Sequence, residues 1–212
     1  MTTLVVIAKE CLPGRVKTRL HPPFSLEQAA ELAAASLVDT LSAMGGLPFE
    51  RRVLAFDGTV IPRAARGWDV VPQSSGGLDE RLADVFDRLE GPTVLIGMDT
   101  PQADASALSE VLPAWPDDAD AVLGPAVDGG FWALGMRAPR GDLVRGVPMS
   151  TGSTGVHQLQ RLSAAGLRVR LLPPLLDVDD LASARQVAAA APRTRFAAIL
   201  DGFDRGHMRG AA

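Results

Sequence analysis

The 212-residue sequence contains one cysteine, three histidines and no tyrosine. A lone Cys11 excludes a disulfide framework and a thiolate zinc site. The wide spacing of His21, His157 and His207 argues against a histidine-rich metal site. The first apolar run, residues 4–8, stops at Lys9 and is too short for a signal-peptide core or a membrane span. We therefore expect a cytoplasmic protein without a membrane partner.

Charge of one sign is nowhere concentrated. The sequence has 21 Lys and Arg against 25 Asp and Glu, a formal net charge of −4, and the two signs are interspersed. No basic block predicts a nucleic-acid partner, and no acidic tail predicts disorder. Apolar residues make up 47% of the chain, enough to bury a sizeable core. We expect small-molecule partners, and both a monomer and a homodimer remain open.

Strand and helix patterns alternate along the chain. Residues 4–8 form a β-branched apolar run without polar alternation, which is typical of a central strand in a parallel sheet. Further strands are predicted at residues 51–56, around 70–71, and at 93–97, 121–123, 131–136 and 168–173. Helices are predicted from Ser25 (a capping box with Gln28) to Gly45, at 78–90, 104–112 and 156–165, and from Asp179 or Asp180 to Ala191. Residues 201–212 are expected to be loosely held. The order favours a three-layer α/β fold in one domain, residues 1–212, with a mostly parallel mixed sheet.

A basic loop follows the first predicted strand. Ligands of open α/β sheets bind beyond the carboxyl ends of the strands, so this position is a candidate phosphate site. A solvated basic loop is the alternative. Neither a Walker sequence nor GxGxxG is present, which disfavours P-loop and dinucleotide-binding proteins. The candidate substrate-binding residues of the loop are Lys9, Pro13, Gly14, Arg15, Lys17 and Arg19.

The segment VLIGMDTP places Asp99 directly after the buried strand at 93–97. An aspartate there is well placed to hold Mg²⁺ or Mn²⁺, which prefer oxygen ligands and bridge diphosphates. Gly97 and Pro101 flank it and are candidate substrate contacts. The alternative is a turn or cap aspartate, because Asp-x-Pro is common in turns.

Asp128, Gly129 and Gly130 follow the strand at 121–123. The glycines permit close approach of the backbone to a ligand, which makes all three residues candidates for the site. A hairpin turn of the Asp-Gly type explains the same residues.

Two further polar segments complete the set. Asp177, Asp179 and Asp180 follow the strand at 168–173, where they either surround a cation or cap the next helix. Ser150 and Thr151 precede a helix and either bind an anion or form an ordinary cap. In chain order, the predicted strand ends carry basic residues, one aspartate, Asp-Gly-Gly and Asp-x-Asp. A metal-bound diphosphate requires such a set, with cations and a metal on the phosphates and carboxylates on the metal.

Six motifs resemble those of one known family: PGRVKTRL (13–20), GLDERL (77–82), LIGMDTP (95–101), GPAVDGGFWALG (124–135), MST (149–151) and DVDD (177–180). They resemble the small bacterial GT-A-like transferases of the arsenosugar-biosynthesis or radical-SAM-associated type, which are similar to cofactor guanylyltransferases. The resemblance implies the α/β/α nucleotide-diphospho-sugar transferase fold. It implies that Lys17 and Arg19 reach donor phosphates and that Asp99 binds the metal. Asp128 would lie near the acceptor or metal, and Asp177 or Asp179 would complete the metal site.

The sequence departs from that family in several places. Cys11 replaces an expected proline, and Thr100 replaces serine. Phe131 and Trp132 replace two tyrosines, and Met149 replaces a tryptophan, at positions where an acceptor would pack. The helix after DVDD lacks the usual Thr-Pro-Glu-Asp opening.

Three functions are compatible with these residues. The first is a glycosyltransferase that uses a nucleotide sugar, a small-molecule acceptor and Mg²⁺ or Mn²⁺, with Asp99 and Asp128 as catalytic residues and Asp99, Asp177 and Asp179 as metal ligands. The second is a nucleotidyltransferase that uses an NTP and releases pyrophosphate, which the basic KTRL segment favours. The third is a non-catalytic nucleotide-binding protein. The family resemblance favours glycosyl transfer.

Overall fold

A seven-stranded sheet forms the centre of the molecule. The computed structural model describes residues 2–112 and 114–210, the last three as backbone alone. The strands are β1 (Thr3–Lys9), β2 (Arg51–Asp57), β3 (Asp69–Pro72), β4 (Thr93–Ile96), β5 (Ala121–Pro125), β6 (Phe131–Met136) and β7 (Val169–Leu171). Their order is β3-β2-β1-β4-β6-β5-β7, and β6 alone runs antiparallel to its neighbours β4 and β5. Six carboxyl ends and the amino end of β6 therefore meet at one edge.

Helices cover both faces of the sheet. They are α1 (Leu26–Gly45), α2 (Leu78–Asp87), α3 (Thr154–Ala164), α4 (Leu181–Ala190) and α5 (Arg195–Gly210). Successive strand residues point to opposite faces. Leu4 accordingly belongs to the core cluster that contains Leu41 of α1, whereas Val5 belongs to the cluster that contains Phe86 of α2. The prediction of three layers around a mostly parallel sheet is confirmed.

The predicted helix signals are also found. The Ser25 side chain accepts from the Gln28 amide at 3.2 Å, and the Gln28 side chain accepts from the Ser25 amide, so the capping box that starts α1 is present. Asp180 caps α4 through the Ser183 amide at 2.8 Å. The helix-cap explanation of the last carboxylate in DVDD therefore holds for Asp180.

Two predictions about local structure were wrong. Residues 104–112 form turns and the short 3₁₀ helix Ser109–Val111 in place of an α-helix. Asp104 Oδ1 accepts from the amides of Ser106 and Ala107, as a helix-capping side chain does, but the chain continues as turns and a 3₁₀ helix. Pro113, expected to follow that helix, lies outside the described residues.

The carboxyl-terminal segment is helical, where the sequence predicted no helix. Residues 201–210 belong to α5; residues 211 and 212 lie outside the described part. Asp39 of α1 caps α5 by accepting from the amides of Arg195 and Phe196, and the Phe203 ring lies 5.7 Å from that of Phe24. Among the described residues, no helix is both long and apolar enough to cross a membrane.

Candidate active site

Two adjoining cavities open at the edge of the sheet where the carboxyl ends meet. The first has a volume of about 480 Å³ and lies over β1, β4 and the start of β6, with Ile7, Leu95 and Phe131 in its wall. The second has a volume of about 740 Å³ and is lined mainly by polar side chains. Both are lined by Lys9, Leu78, Met98, Asp99 and Ser150. Asp99, singled out from the sequence, therefore lies where the cavities join.

The loop that carries Asp99 is fixed from three directions. The Met98 carbonyl accepts from the buried Ser36 hydroxyl of α1 at 2.7 Å. The Gly97 amide donates to the Trp132 carbonyl of β6 at 3.1 Å, and the Asp99 carbonyl accepts from the Val178 amide at 3.0 Å. Gly97 lines the first cavity, whereas Pro101 is buried behind the loop and lines neither. The backbone that carries the Asp99 side chain is thus held by three other elements.

The basic loop folds over the carboxylates. Lys17 Nζ lies 2.8 Å from Asp99 Oδ1 and also donates to the Val178 carbonyl. Its side chain is only 11% exposed. Two residues on, Arg19 pairs with Asp179. The two cations expected at donor phosphates are therefore bound to the carboxylates expected at the metal.

The remaining basic-loop candidates separate into two groups. Lys9 is exposed at the end of β1 and lines both cavities. Pro13, Gly14 and Arg15 form an exposed turn, with Gly14 at φ +75°, and line neither cavity. The structure brings Lys9, Lys17 and Arg19 to the candidate site and leaves the turn outside it.

Asp177 is the most buried carboxylate of the site. Its Oδ1 atom has no hydrogen-bond partner among the described residues, and it lines the first cavity together with Asp99. Burial, and then the negative charges of Asp128 and Asp99, raise the pKa of Asp177 to about 7, while the positive charge of Lys17 opposes the rise. This oxygen is available to a water molecule or an ion, and it differs from most other unpaired buried atoms in that it lies on a carboxylate at the cavity wall.

The carboxylates suit a divalent cation that also binds phosphate. Mg²⁺ is usually held by one or two carboxylates together with substrate phosphates. Asp99 and Asp177 supply two carboxylates at the wall of the first cavity, and the unpaired Oδ1 atom of Asp177 is available as a metal ligand. Asp179 pairs with Arg19 and lines the second cavity, whereas Asp177 lines the first. Within the described part of the chain no group of three or more His, Cys, Asp or Glu side chains is arranged to hold a metal. The protein would thus contribute Asp99 and Asp177.

Asp128 lies in the hairpin between β5 and β6. Its Oδ1 atom accepts from the Gly130 amide at 2.8 Å, as expected of a turn aspartate, and the residue lines the second cavity. Asp128 is therefore both a turn aspartate of the hairpin and a residue of the second cavity.

Gly129 and Gly130 approach another backbone segment closely. Gly129 has φ +92°, and a Cβ atom built on it would lie 2.0 Å from the Gly152 carbonyl oxygen. Its own carbonyl accepts from the Gly155 amide at 2.8 Å, and a Cβ atom on Gly155 would lie 2.5 Å from the Gly130 oxygen. The close approach seen here packs the hairpin against the segment that starts α3.

Ser150 and Thr151 belong to that same segment and line the second cavity. Ser150 has φ +57°. The Thr151 amide donates to Thr154 Oγ1 at 3.1 Å, and Thr154 Oγ1 donates to the Pro148 carbonyl at 2.9 Å. Ser153 is the N-cap of α3 and makes no side-chain cap bond, so these bonds do not make Ser150 or Thr151 a helix cap. Both residues border the second cavity.

Several cavity residues were missed by the sequence-based prediction. Gln73 donates to the carbonyls of Ala8 and Ala55, at 2.7 and 3.0 Å, and so joins the ends of β1 and β2. Arg81, which pairs with Asp57 at 2.9 Å, lines the first cavity beside it. Both residues could have been found: Gln73 directly follows a predicted strand, and Arg81 belongs to the GLDERL motif.

Comparison with known proteins identifies a family and a fold. Residues 37–151, more than half of the chain, match the family described as "Uncharacterized protein conserved in bacteria (DUF2064)". No curated protein matches the chain significantly in sequence.

Solved structures share the fold. A protein from Desulfovibrio desulfuricans G20, provisionally described as a nucleotide-diphospho-sugar transferase, is 23% identical with a TM-score of 0.79, over 96% of this chain and 95% of that one. The 2-C-methyl-D-erythritol 4-phosphate cytidylyltransferase from Thermus thermophilus is 14% identical, with a TM-score of 0.54 over 91% and 100%. CMP:2-keto-3-deoxy-manno-octonic acid synthetase, complexed with CTP, is 15% identical, with a TM-score of 0.50 over 89% and 97%. At these identities the likeness concerns the fold.

Proposed function

The chain belongs to the DUF2064 family of bacterial proteins, and we propose that it is a metal-dependent transferase acting on a nucleotide-linked donor. The preferred reaction is glycosyl transfer from a nucleotide sugar to a small-molecule acceptor. The resemblance of the motifs to transferases of the arsenosugar-biosynthesis or radical-SAM-associated type supports the same reaction class.

One observation carries the proposal: the two cavities meet at Asp99, between the basic loop and Asp177. The first cavity, with the flat ring of Phe131 and the apolar side chains of Ile7 and Leu95, suits a nucleobase and its ribose. The second cavity, which is more polar, suits a sugar and its acceptor. A diphosphate that joins the two would cross the junction at Asp99.

The residues at the junction have complementary roles in the proposed reaction. Asp99 and Asp177 would hold Mg²⁺ or Mn²⁺, which would stabilise the charge that develops on the leaving diphosphate. Lys9 and Lys17 would bind the phosphate oxygens from the other side. Asp128, oriented by its bond to the Gly130 amide, is the proposed base or anchor for the acceptor hydroxyl.

Nucleotidyl transfer from an NTP is the second candidate. Lys9, Lys17 and Arg19 all line the second cavity. Three cations around one cavity favour a leaving pyrophosphate, which carries more negative charge than a leaving nucleoside diphosphate. Structural similarity to two cytidylyltransferase-type enzymes is compatible with this reaction and with the first, because one fold hosts both.

To test the proposal, the protein is incubated with Mg²⁺ or Mn²⁺ and a mixed acceptor extract, in one series with NTPs and in another with nucleotide sugars. Glycosyl transfer predicts that a nucleotide sugar releases its nucleoside diphosphate and that NTPs release no pyrophosphate. Pyrophosphate release from an NTP would assign nucleotidyl transfer. If neither donor reacts and neither binds in calorimetry, the proposal is wrong.

A matched pair of variants links the reaction to the site. Asp99→Asn should abolish either activity. Asp142→Asn makes the same change in an exposed carboxylate that pairs with Arg140 and lines neither cavity, and should retain it. Equal activity of the two variants would exclude a role for Asp99.

A further inference from the structure

Lys17 is held in an unusual position for a phosphate-binding lysine. Its ammonium lies 2.8 Å from Asp99 Oδ1 and also contacts the Val178 carbonyl, with the side chain 11% exposed. The backbone at Lys17 is left-handed, at φ 47° and ψ 36°, which a non-glycine residue adopts at an energetic cost. The ammonium is therefore directed into the carboxylates by a specific local conformation.

The residues on either side of Lys17 are anchored. Val16 is 3% exposed and Leu20, at the end of the 3₁₀ helix Thr18–Leu20, is fully buried. The Leu20 amide donates to the Lys17 carbonyl at 3.0 Å. A change in the partner of Lys17 Nζ therefore requires rotation of its long side chain and leaves the loop backbone in place.

The same ammonium has two possible anionic partners. When it bonds to Asp99 Oδ1, it neutralises the carboxylate that the proposed function assigns to a divalent cation. When it binds a donor phosphate, it leaves that carboxylate uncompensated beside Asp177 and Asp128, a costly arrangement of like charges unless another cation replaces it. One ammonium cannot serve both partners at full strength.

We propose that Lys17 is the resident counter-ion of Asp99, and that a divalent cation displaces it from the carboxylate towards the phosphates of the donor. This inference rests on the proposed function. It makes Lys17 a positioning residue that couples the two ligands: metal binding releases the ammonium, and a phosphate receives it. Metal and donor therefore bind cooperatively, each with low affinity alone.

The test measures the affinity of Mn²⁺ by calorimetry, with and without inorganic pyrophosphate as the phosphate probe. The Mn²⁺–pyrophosphate complex that forms in solution is subtracted. In the unmodified protein, pyrophosphate should tighten Mn²⁺ binding by about tenfold or more, which corresponds to about 1.4 kcal/mol of coupling. Lys17→Met keeps the length of the side chain and removes its charge. It should bind Mn²⁺ alone about tenfold more tightly and lose most of the pyrophosphate effect.

Arg15→Met is the control for Mn²⁺ alone. It removes one positive charge from the same basic loop, at an exposed turn that lines neither cavity. Its Mn²⁺ affinity should change by less than about threefold. Equal tightening in Arg15→Met and Lys17→Met would show a general charge effect and overturn the proposal.

Two other outcomes separate this inference from the proposed function. If Lys17→Met binds Mn²⁺ no more tightly than the unmodified protein, while Asp99→Asn abolishes binding, the displacement of Lys17 by the metal is wrong. The assignment of Asp99 as a metal ligand is then unaffected. If Asp99→Asn leaves Mn²⁺ binding unchanged, both are wrong. Damage to the fold would weaken binding, so tighter binding by Lys17→Met cannot arise from misfolding.

Discussion

Replacing Gly129 by alanine tests why the hairpin after β5 carries two glycines. At φ +92° an L-residue is strained, and a left-handed backbone costs about 1–2 kcal/mol. The added methyl carbon would lie 2.0 Å from the Gly152 carbonyl oxygen, a backbone atom that cannot rotate away. Forced repacking of this kind costs about 1–3 kcal/mol. Together these contributions predict a loss of about 2–5 kcal/mol.

Gly166→Ala provides the matched control. Gly166 also has a positive φ, +78°, but nothing lies within 4 Å of its added Cβ atom. It should lose only the conformational contribution, about 1–2 kcal/mol. In urea unfolding at constant m-value, Gly129→Ala should therefore be less stable than Gly166→Ala by about 1–3 kcal/mol. The melting temperature should fall by about 2–4 °C for each kcal/mol.

The same pair of variants separates two explanations of the glycines. If Gly129 serves the packing of the hairpin on the start of α3, stability falls as above. If the two variants are equally stable and only Gly129→Ala binds nucleotide more weakly, the close approach is to the ligand and the packing argument is refuted.

Three other changes have defined outcomes. Asp99→Asn should lose metal-dependent activity but keep its free energy of unfolding in urea within about 1 kcal/mol, because the side chain is 40% exposed; full activity would contradict the assigned role. Burial raises the pKa of Asp177 to about 7 from 3.8, so its ionisation costs the native state stability as pH rises from about 4 to 7. With a metal chelator present, the free energy of unfolding of Asp177→Asn should accordingly rise by roughly 3 kcal/mol relative to that of the unmodified protein between pH 4 and pH 8. A stability difference that does not change with pH would refute this reasoning. Burial, and then the charge of Asp99, raise the pKa of Cys11 to about 11; alkylation by iodoacetamide at pH 8 should be roughly 100-fold slower than in urea, and comparable rates would contradict it.

Local patterns in the sequence were sufficient for most of the fold. The apolar run at 4–8 predicts a central parallel strand because a strand covered on both faces by helices has no polar side. The capping box at Ser25 and the cap at Asp180 involve residues three apart, so their partners are fixed within one helical turn. The 104–112 segment carries a similar capping bond at Asp104 and still does not form an α-helix, so a local start signal was not sufficient there.

The candidate site was predictable in location and not in its contacts. Residues that follow parallel strands meet at one edge of the sheet, so the positions of Asp99, Asp128 and Asp177 could be expected near one another from chain order. The positions of Gln73 and Arg81 could be found from the sequence, but their bonds to Ala8 and Asp57, on other elements, leave no local signature.

The succession of strands, most helix starts and the residues available at the strand ends could be predicted from the sequence, because periodicity and capping act over a few residues. The pairing of those residues depends on the tertiary fold. The fold pairs Lys17 with Asp99 and Arg19 with Asp179, and it directs Gly129 towards the Gly152 backbone. Such contacts depend on how loops distant in sequence pack against each other, and a carboxylate bonds to whichever cation the fold brings within about 3 Å.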